Sequence, residues 1–150
     1  MKYTAEYVSP KHPDKLCDQI SDAIVDLCLA NNPDSRCAIE TMGGHGKVTV
    51  TGEVTTSNAD TLAEKIKEVV ERIAGPQKEV EINLVMQSPE IARGVDTGGA
   101  GDQGIMVGYA CNETTTKMPM EYELARSLNK YLYDIYKTDG KTQVTWDKEK

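Results

Sequence analysis

The sequence predicts an α+β fold, with helices packed on one face of a mostly antiparallel or mixed sheet. Three observations carry this expectation. Helix-periodic and strand-like stretches alternate along the chain. Two strands are joined by a short glycine-rich turn, which makes a hairpin rather than a parallel crossover unit. A chain of 150 residues is also long enough to bury a core without disulfides or a structural metal.

Between Asp14 and Ala30, Leu16, Ile20, Ala23, Ile24, Leu27 and Cys28 recur at helical spacing, and Pro13 suits the first turn. Asn31-Asn32-Pro33-Asp34 ends that helix. Arg36 to Met42 and Lys47 to Thr56 read as the two strands of a hairpin turned at Gly43-Gly44-His45-Gly46. A second helix carries Leu62, Ile66, Val69, Val70 and Ile73, begins at Asn58 or Asp60 and stops at Gly75-Pro76. Glu79 to Met86 reads as a third strand. Gln87 to Asp102, broken by Ser88-Pro89 and several glycines, reads as a long irregular loop, a length usually reserved for function or disorder. A short strand is expected over Gly104 to Ala110. A third helix follows over Glu121 to Tyr136, with Leu124, Leu128, Tyr131, Leu132 and Ile135 on one face, and a last strand begins at Gln143.

Composition narrows the function. A net charge of −7 argues against a nucleic-acid or anionic-membrane surface. There is no long apolar run, and the first residues lack the apolar core of a signal peptide, so a cytoplasmic location is expected. Cys17, Cys28, Cys37 and Cys111 show no zinc-site spacing and read as small buried apolar residues in a reducing compartment.

Four sequence features can carry chemistry. His12-Pro13-Asp14-Lys15 stands where a helix begins, and a helix N-terminus attracts anions. There Lys15 can hold a phosphate, Asp14 can bind Mg²⁺, and His12 can hydrogen-bond a phosphate oxygen. The same residues also suit an ordinary helix start beside a surface histidine. Gly99-Ala100-Gly101-Asp102-Gln103-Gly104 matches neither the P-loop nor the dinucleotide fingerprint, and such turns are structural more often than not. Glu40 and Glu53 fall on neighbouring strands, where an acid either faces solvent or receives an ammonium group. Asp139-Gly140-Lys141 by itself looks like a turn before a strand.

Taken together and in order, these runs resemble the S-adenosylmethionine synthetase (methionine adenosyltransferase) family. The resemblance also takes in Asp18-Gln19-Ile20-Ser21-Asp22-Ala23, Glu40-Thr41, Gly52-Glu53-Val54-Thr55-Thr56-Ser57, Gln87-Ser88-Pro89-Glu90-Ile91 and Lys141-Thr142-Gln143-Val144-Thr145. It implies an N-terminal synthetase-like domain over residues 1–98, with a gating loop at 87–97. Residues 99–150 would then be the beginning of a second such domain. It also implies synthesis of S-adenosylmethionine from ATP and L-methionine, with Mg²⁺ and K⁺ as cofactors. The partner would be a second copy, in a homodimer or dimer of dimers with an interfacial active site, or another synthetase chain.

By the same resemblance His12, Lys15 and Lys141 are catalytic, and with Asp139 they bind ATP. Glu53, Gln87 and Asp102 contact methionine, Asp14 binds Mg²⁺ and Glu40 binds K⁺. A non-catalytic shortened homologue that binds and regulates a full-length synthetase is the alternative. The chain departs from the family at Lys11, where a glycine is usual, in a shorter stretch before Gln87, and at Arg93 in the gating loop.

Overall fold

The computed structural model describes residues 2–76, 79–137 and 141–147, the last group as backbone only. Its elements are β1 (Lys2–Val8), α1 (Pro13–Asn31), β2 (Arg36–Gly44), β3 (Lys47–Thr55), α2 (Ala59–Ala74), β4 (Glu79–Val85), α3 (Pro89–Asp96), α4 (Met120–Tyr136) and β5 (Lys141–Asp147). They fold as two compact units, one of residues 1–15 and 105–150, the other of residues 16–104.

The second unit holds a three-stranded mixed sheet in the order β2-β3-β4. β2 and β3 are antiparallel, β3 and β4 parallel. The hairpin turns through His45 and Gly46, both at positive φ (49° and 85°), the pairing that matches the twist of the flanking strands. Along β3, Val48, Val50 and Val54 point to one face and are buried. Onto that face pack Ile20, Ile24 and Cys28 of α1 and Leu62, Ile66, Val69 and Val70 of α2. The parallel pairing of β3 with β4 needs a crossover, and α2 provides it.

Strand alternation sends the other set of side chains to the opposite face. There the register sets Glu40 opposite Thr51 and Glu53 opposite Ala38. The strand can carry Glu53 there only because residue 52 is glycine. Gly52 has φ 138°, and a Cβ on it would stand 2.0 Å from the carbonyl oxygen of Ala38. On the same face Lys47 Nζ meets Glu81 at 2.8 Å and Glu79 at 3.6 Å. The Glu81 carboxylate raises the lysine's pKa, and the lysine in turn lowers that of Glu81.

In the first unit β1 pairs antiparallel with β5, Val8 standing opposite Lys141. α4 lies on this ribbon through Ala125 and Asn129, both buried. Asn129 Nδ2 donates to the Tyr7 carbonyl at 3.2 Å, and the Tyr7 and Tyr122 rings meet edge-on at 5.9 Å.

Three sequence expectations change. The stretch from Gln87 to Asp102 is not wholly irregular. It contains α3, capped by Ser88 Oγ, which accepts from the Ile91 N–H, with Pro89 in the first turn. Residues 104–110 form no strand; Ile105, Met106 and Val107 are more than 90% exposed, with no described strand beside them to complete a ladder. The apolar face of α4 is rotated away from the strands, leaving Leu128, Tyr131, Leu132 and Ile135 exposed. A two-stranded ribbon is narrow, and the small Ala125 with the hydrogen-bonding Asn129 makes the closer approach. β1 gave no clear signal in the sequence, because its alternation is half polar and its partner lies at the other end of the chain. No described helix is long and apolar enough to cross a membrane.

The four cysteines are free thiols. Burial, with the neighbouring Cys28 thiol adding to it, pushes Cys37 up to about 12. Cys37 is therefore a neutral packing residue, and at pH 8 iodoacetamide should label it at least ~100-fold more slowly in the folded than in the denatured chain. Because its folded value is raised, the stability it contributes is complete below the ordinary thiol range. That stability should fade as pH rises towards about 12, as urea titrations at stepped pH would register. Gly52→Ala should cost roughly 2–4 kcal/mol in the same titration. Gly44→Ala, whose Cβ would meet nothing within 4 Å, is the matched control and should change stability by less than about 0.5 kcal/mol. Equal effects at the two glycines would contradict the close approach at Gly52.

Candidate functional site

The structure gathers most of the sequence-expected residues that it describes in two groups, one in each compact unit. In the second unit a cleft of about 570 Å³ is lined by Glu53, Gln87 and Asp102 together with Arg36, Ile91 and Val95. Each acid or amide arrives by a different route. Glu53 projects from β3 on the face opposite the core. Gln87 follows β4 immediately. Asp102 comes from the glycine run after α3, and its carboxylate accepts from the Gln103 N–H at 2.7 Å.

The glycine run makes this placement possible. The Gly99 N–H donates to the Gly94 carbonyl at 3.1 Å, and a Cβ on Gly99 would lie 2.6 Å from that oxygen. The run therefore folds back onto the end of α3 and brings Asp102 to the cleft. Nothing in this geometry requires it to cradle a phosphate.

The cleft is amphipathic. Ile91 and Val95 offer an apolar wall at i, i+4 spacing on α3, while Glu53 and Asp102 offer carboxylates and Gln87 an amide. It suits a small zwitterion with an apolar side chain. Arg36 was not singled out in the sequence. It reaches across the cleft wall: Nε donates to Gln87 Oε1 and Nη1 to Asp96 Oδ1, each at 2.9 Å. Its only sequence signal was a lone cation opening a strand, which reads as an ordinary surface residue.

In the first unit His12, Asp14 and Lys15 lie at the start of α1. The Asp14 backbone N–H donates to His12 Nδ1 at 3.2 Å. An imidazole nitrogen that accepts carries no proton, so the neutral ring holds its hydrogen on Nε2, as a donor. The Asp14 carboxylate lies 3.6 Å from Nδ1 and is 77% exposed. The His12 N–H donates to the Ser9 carbonyl at 3.0 Å, which fixes the turn that presents the ring. The register of β1 with β5 sets Lys141 beside Val8, just before that turn. Asp139 lies outside the described residues. Glu40 belongs to neither group: it is exposed on the outer face of β2. Among the described residues no three potential metal-ligating side chains cluster.

Residues 1–97 match the model of the S-adenosylmethionine synthetase N-terminal domain, and residues 97–150 that of the central domain. The chain is 40% identical over 178 residues to the S-adenosylmethionine synthase of Mycobacterium ulcerans (strain Agy99), covering 95% of this chain and 44% of that protein. It is 41% identical over 175 residues to that of Nocardia farcinica, covering 95% and 43%. Both aligned stretches are longer than the chain itself, so these relatives carry residues that this chain lacks. An S-adenosylmethionine synthetase from Campylobacter jejuni, described as unusual, superposes with a TM-score of 0.78 at 34% identity, over 97% of this chain and 42% of that one. The chain thus spans less than half the length of the relatives it matches. With residues 1–97 and 97–150 matched in order and the fold shared, the chain belongs to the S-adenosylmethionine synthetase family.

Proposed function

We propose that this chain contributes to methionine adenosyl transfer. In that reaction the methionine sulfur donates a lone pair to ribose C5′ of ATP. The C5′–oxygen bond breaks, a sulfonium forms, and tripolyphosphate leaves, to be hydrolysed to phosphate and pyrophosphate. The observation that carries the reading is the cleft in which Glu53, Gln87 and Asp102 converge beside an apolar wall. Glu53 and Asp102 suit the ammonium group of methionine, the amide of Gln87 its carboxylate, and Ile91 and Val95 its thioether chain.

The other group of residues suits the nucleotide. Sulfur is a neutral nucleophile and needs no general base, so catalysis falls to alignment and to stabilising the leaving group. His12 supplies a donor at Nε2 for an oxygen on which charge develops. Lys15 and Lys141 supply positive charge for the phosphates, and Asp139 shares in holding ATP.

The donor chemistry fits the two cations. Mg²⁺ takes one or two carboxylates and completes its shell with water and phosphate oxygens, and the exposed Asp14 offers one such oxygen ligand. Glu40 offers an exposed carboxylate for K⁺. When bound, Mg²⁺ would neutralise charge on the tripolyphosphate.

In this reading residues 1–98 form the N-terminal synthetase domain, with 87–97 as its gating segment, and residues 99–150 begin the second. The division of the family matches at residue 97 supports it. The amino-acid cleft of one chain serves the nucleotide residues of another across a dimer interface, and the exposed Met42 and Val85 on the outer face of the sheet support such a contact.

The test is formation of S-adenosylmethionine from ATP and methionine with Mg²⁺ and K⁺. It is run on the purified chain alone and after mixing with the C-terminal portion of the Nocardia farcinica relative. Product should appear in at least one mixture and fall roughly 10²–10⁴-fold in His12→Ala. Asp14→Asn should raise the Mg²⁺ concentration needed for half-maximal rate. Failure to detect any product that depends on His12 in either mixture would overturn the proposal.

A further inference from the structure

The two ends of the segment 87–96 are held by a single side chain. Arg36, only 26% exposed, donates from Nε to Gln87 Oε1 and from Nη1 to Asp96 Oδ1, each at 2.9 Å. Gln87 stands just before α3 and Asp96 is its last residue. One planar guanidinium on β2 therefore closes the segment into a loop. Its rigid fork makes both bonds at once, which the single point charge of a lysine does not reproduce.

This bond also fixes the polarity of Gln87. A guanidinium has donors and no acceptor, so the oxygen of the Gln87 amide must face Arg36. The NH₂ branch, which can only donate, is then turned the other way. Asp96 meanwhile neutralises the guanidinium. Arg36 is thus already paired and does not offer its charge to an incoming carboxylate. The carboxylates of Glu53 and Asp102 stand in the same cleft.

We propose that Arg36 is the positioning residue of this cleft, latching the 87–96 segment to β2 and turning Gln87 into an obligate donor for the carboxylate of an α-amino acid. The ligand class rests on the reading under Proposed function; the latch does not. Selectivity for a zwitterion follows from the arrangement. Acids at Glu53 and Asp102 take the ammonium end, and the oriented amide takes the carboxylate end. A simple anion meets repulsion from the acids, and an amine without a carboxylate leaves the Gln87 amide unpaired.

Two ligand-free readouts test the latch on the full chain. In Arg36→Met, amide hydrogen exchange across residues 88–96 should rise about tenfold or more while that of β3 stays unchanged. The Gln87 side-chain ¹³Cδ resonance, sensitive to hydrogen bonding at its oxygen, should shift upfield. Arg36→Lys should recover only part of either effect. Asp96→Asn should speed exchange near the end of α3 yet leave the Gln87 resonance in place.

The ligand arm compares affinity for L-methionine in whichever mixture supports turnover. Arg36→Met should weaken it about tenfold with little change in the KM for ATP. Gln87→Glu keeps an acceptor for Arg36 but replaces the donor by a negative charge, and should weaken methionine at least as much. Unchanged exchange and an unchanged ¹³Cδ resonance in Arg36→Met would overturn the latch. Changes in both with unaltered methionine affinity would reduce Arg36 to a structural role and overturn the positioning claim. If the wild-type protein binds no methionine while both ligand-free changes appear, the ligand class falls and the latch stands.

Discussion

Burial of one face of β3 beneath two helices is the constraint on which the rest of the second unit depends. Val48, Val50 and Val54 share that face with the apolar stripes of α1 and α2, and together they make a continuous core. Once these valines are committed inward, strand geometry leaves no choice for their neighbours. Glu53 must point the other way, and so must Glu40 and Arg36 on the paired strand. The core thereby decides where the polar chemistry of the sheet appears, without any of its own atoms taking part.

Gly52 is where this constraint is tightest. The backbone of β3 passes so near the Ala38 carbonyl that no side chain fits, and the strand takes a conformation that favours glycine. The next residue is Glu53. A conformation that costs backbone freedom thus sits beside the acid that lines the cleft. The glycine run after α3 plays a similar part for Asp102, since close packing of Gly99 on the Gly94 carbonyl returns the chain towards the sheet.

In the proposed reading the chemistry is divided between the two compact units. Residues suited to an amino acid converge in one cleft of the second unit, where carboxylates, an amide and apolar side chains stand together. Residues suited to phosphates and a divalent cation gather in the first unit, at the start of α1 and beside the end of β1. The His12 ring shows how little is needed for this. One backbone N–H, that of Asp14, occupies Nδ1 and so leaves the proton on Nε2. Arg36 does not ease the cation deficit of a chain with net charge −7, because its guanidinium is held by Gln87 and Asp96 and is not offered to a phosphate.

Local patterning and the ordered series of motifs carried one part of this fold and site. The 3.6-residue spacing of α1 and α2, the alternation of β2 and β3, the family, and the candidacy of His12, Glu53, Gln87 and Asp102 were all legible because each rests on neighbouring residues or on residue identity. Tertiary structure alone decided what depends on partners far along the chain. β1 is a strand because β5 completes its ladder, residues 104–110 are not one because no described strand lies beside them, and the buried face of α4 follows Ala125 and Asn129. Arg36 belongs to this second kind. As a letter it is one cation at the head of a strand. Its meaning comes from Gln87 and Asp96, fifty-one and sixty residues away, because a hydrogen bond is set by distance and direction in space and the sequence records neither.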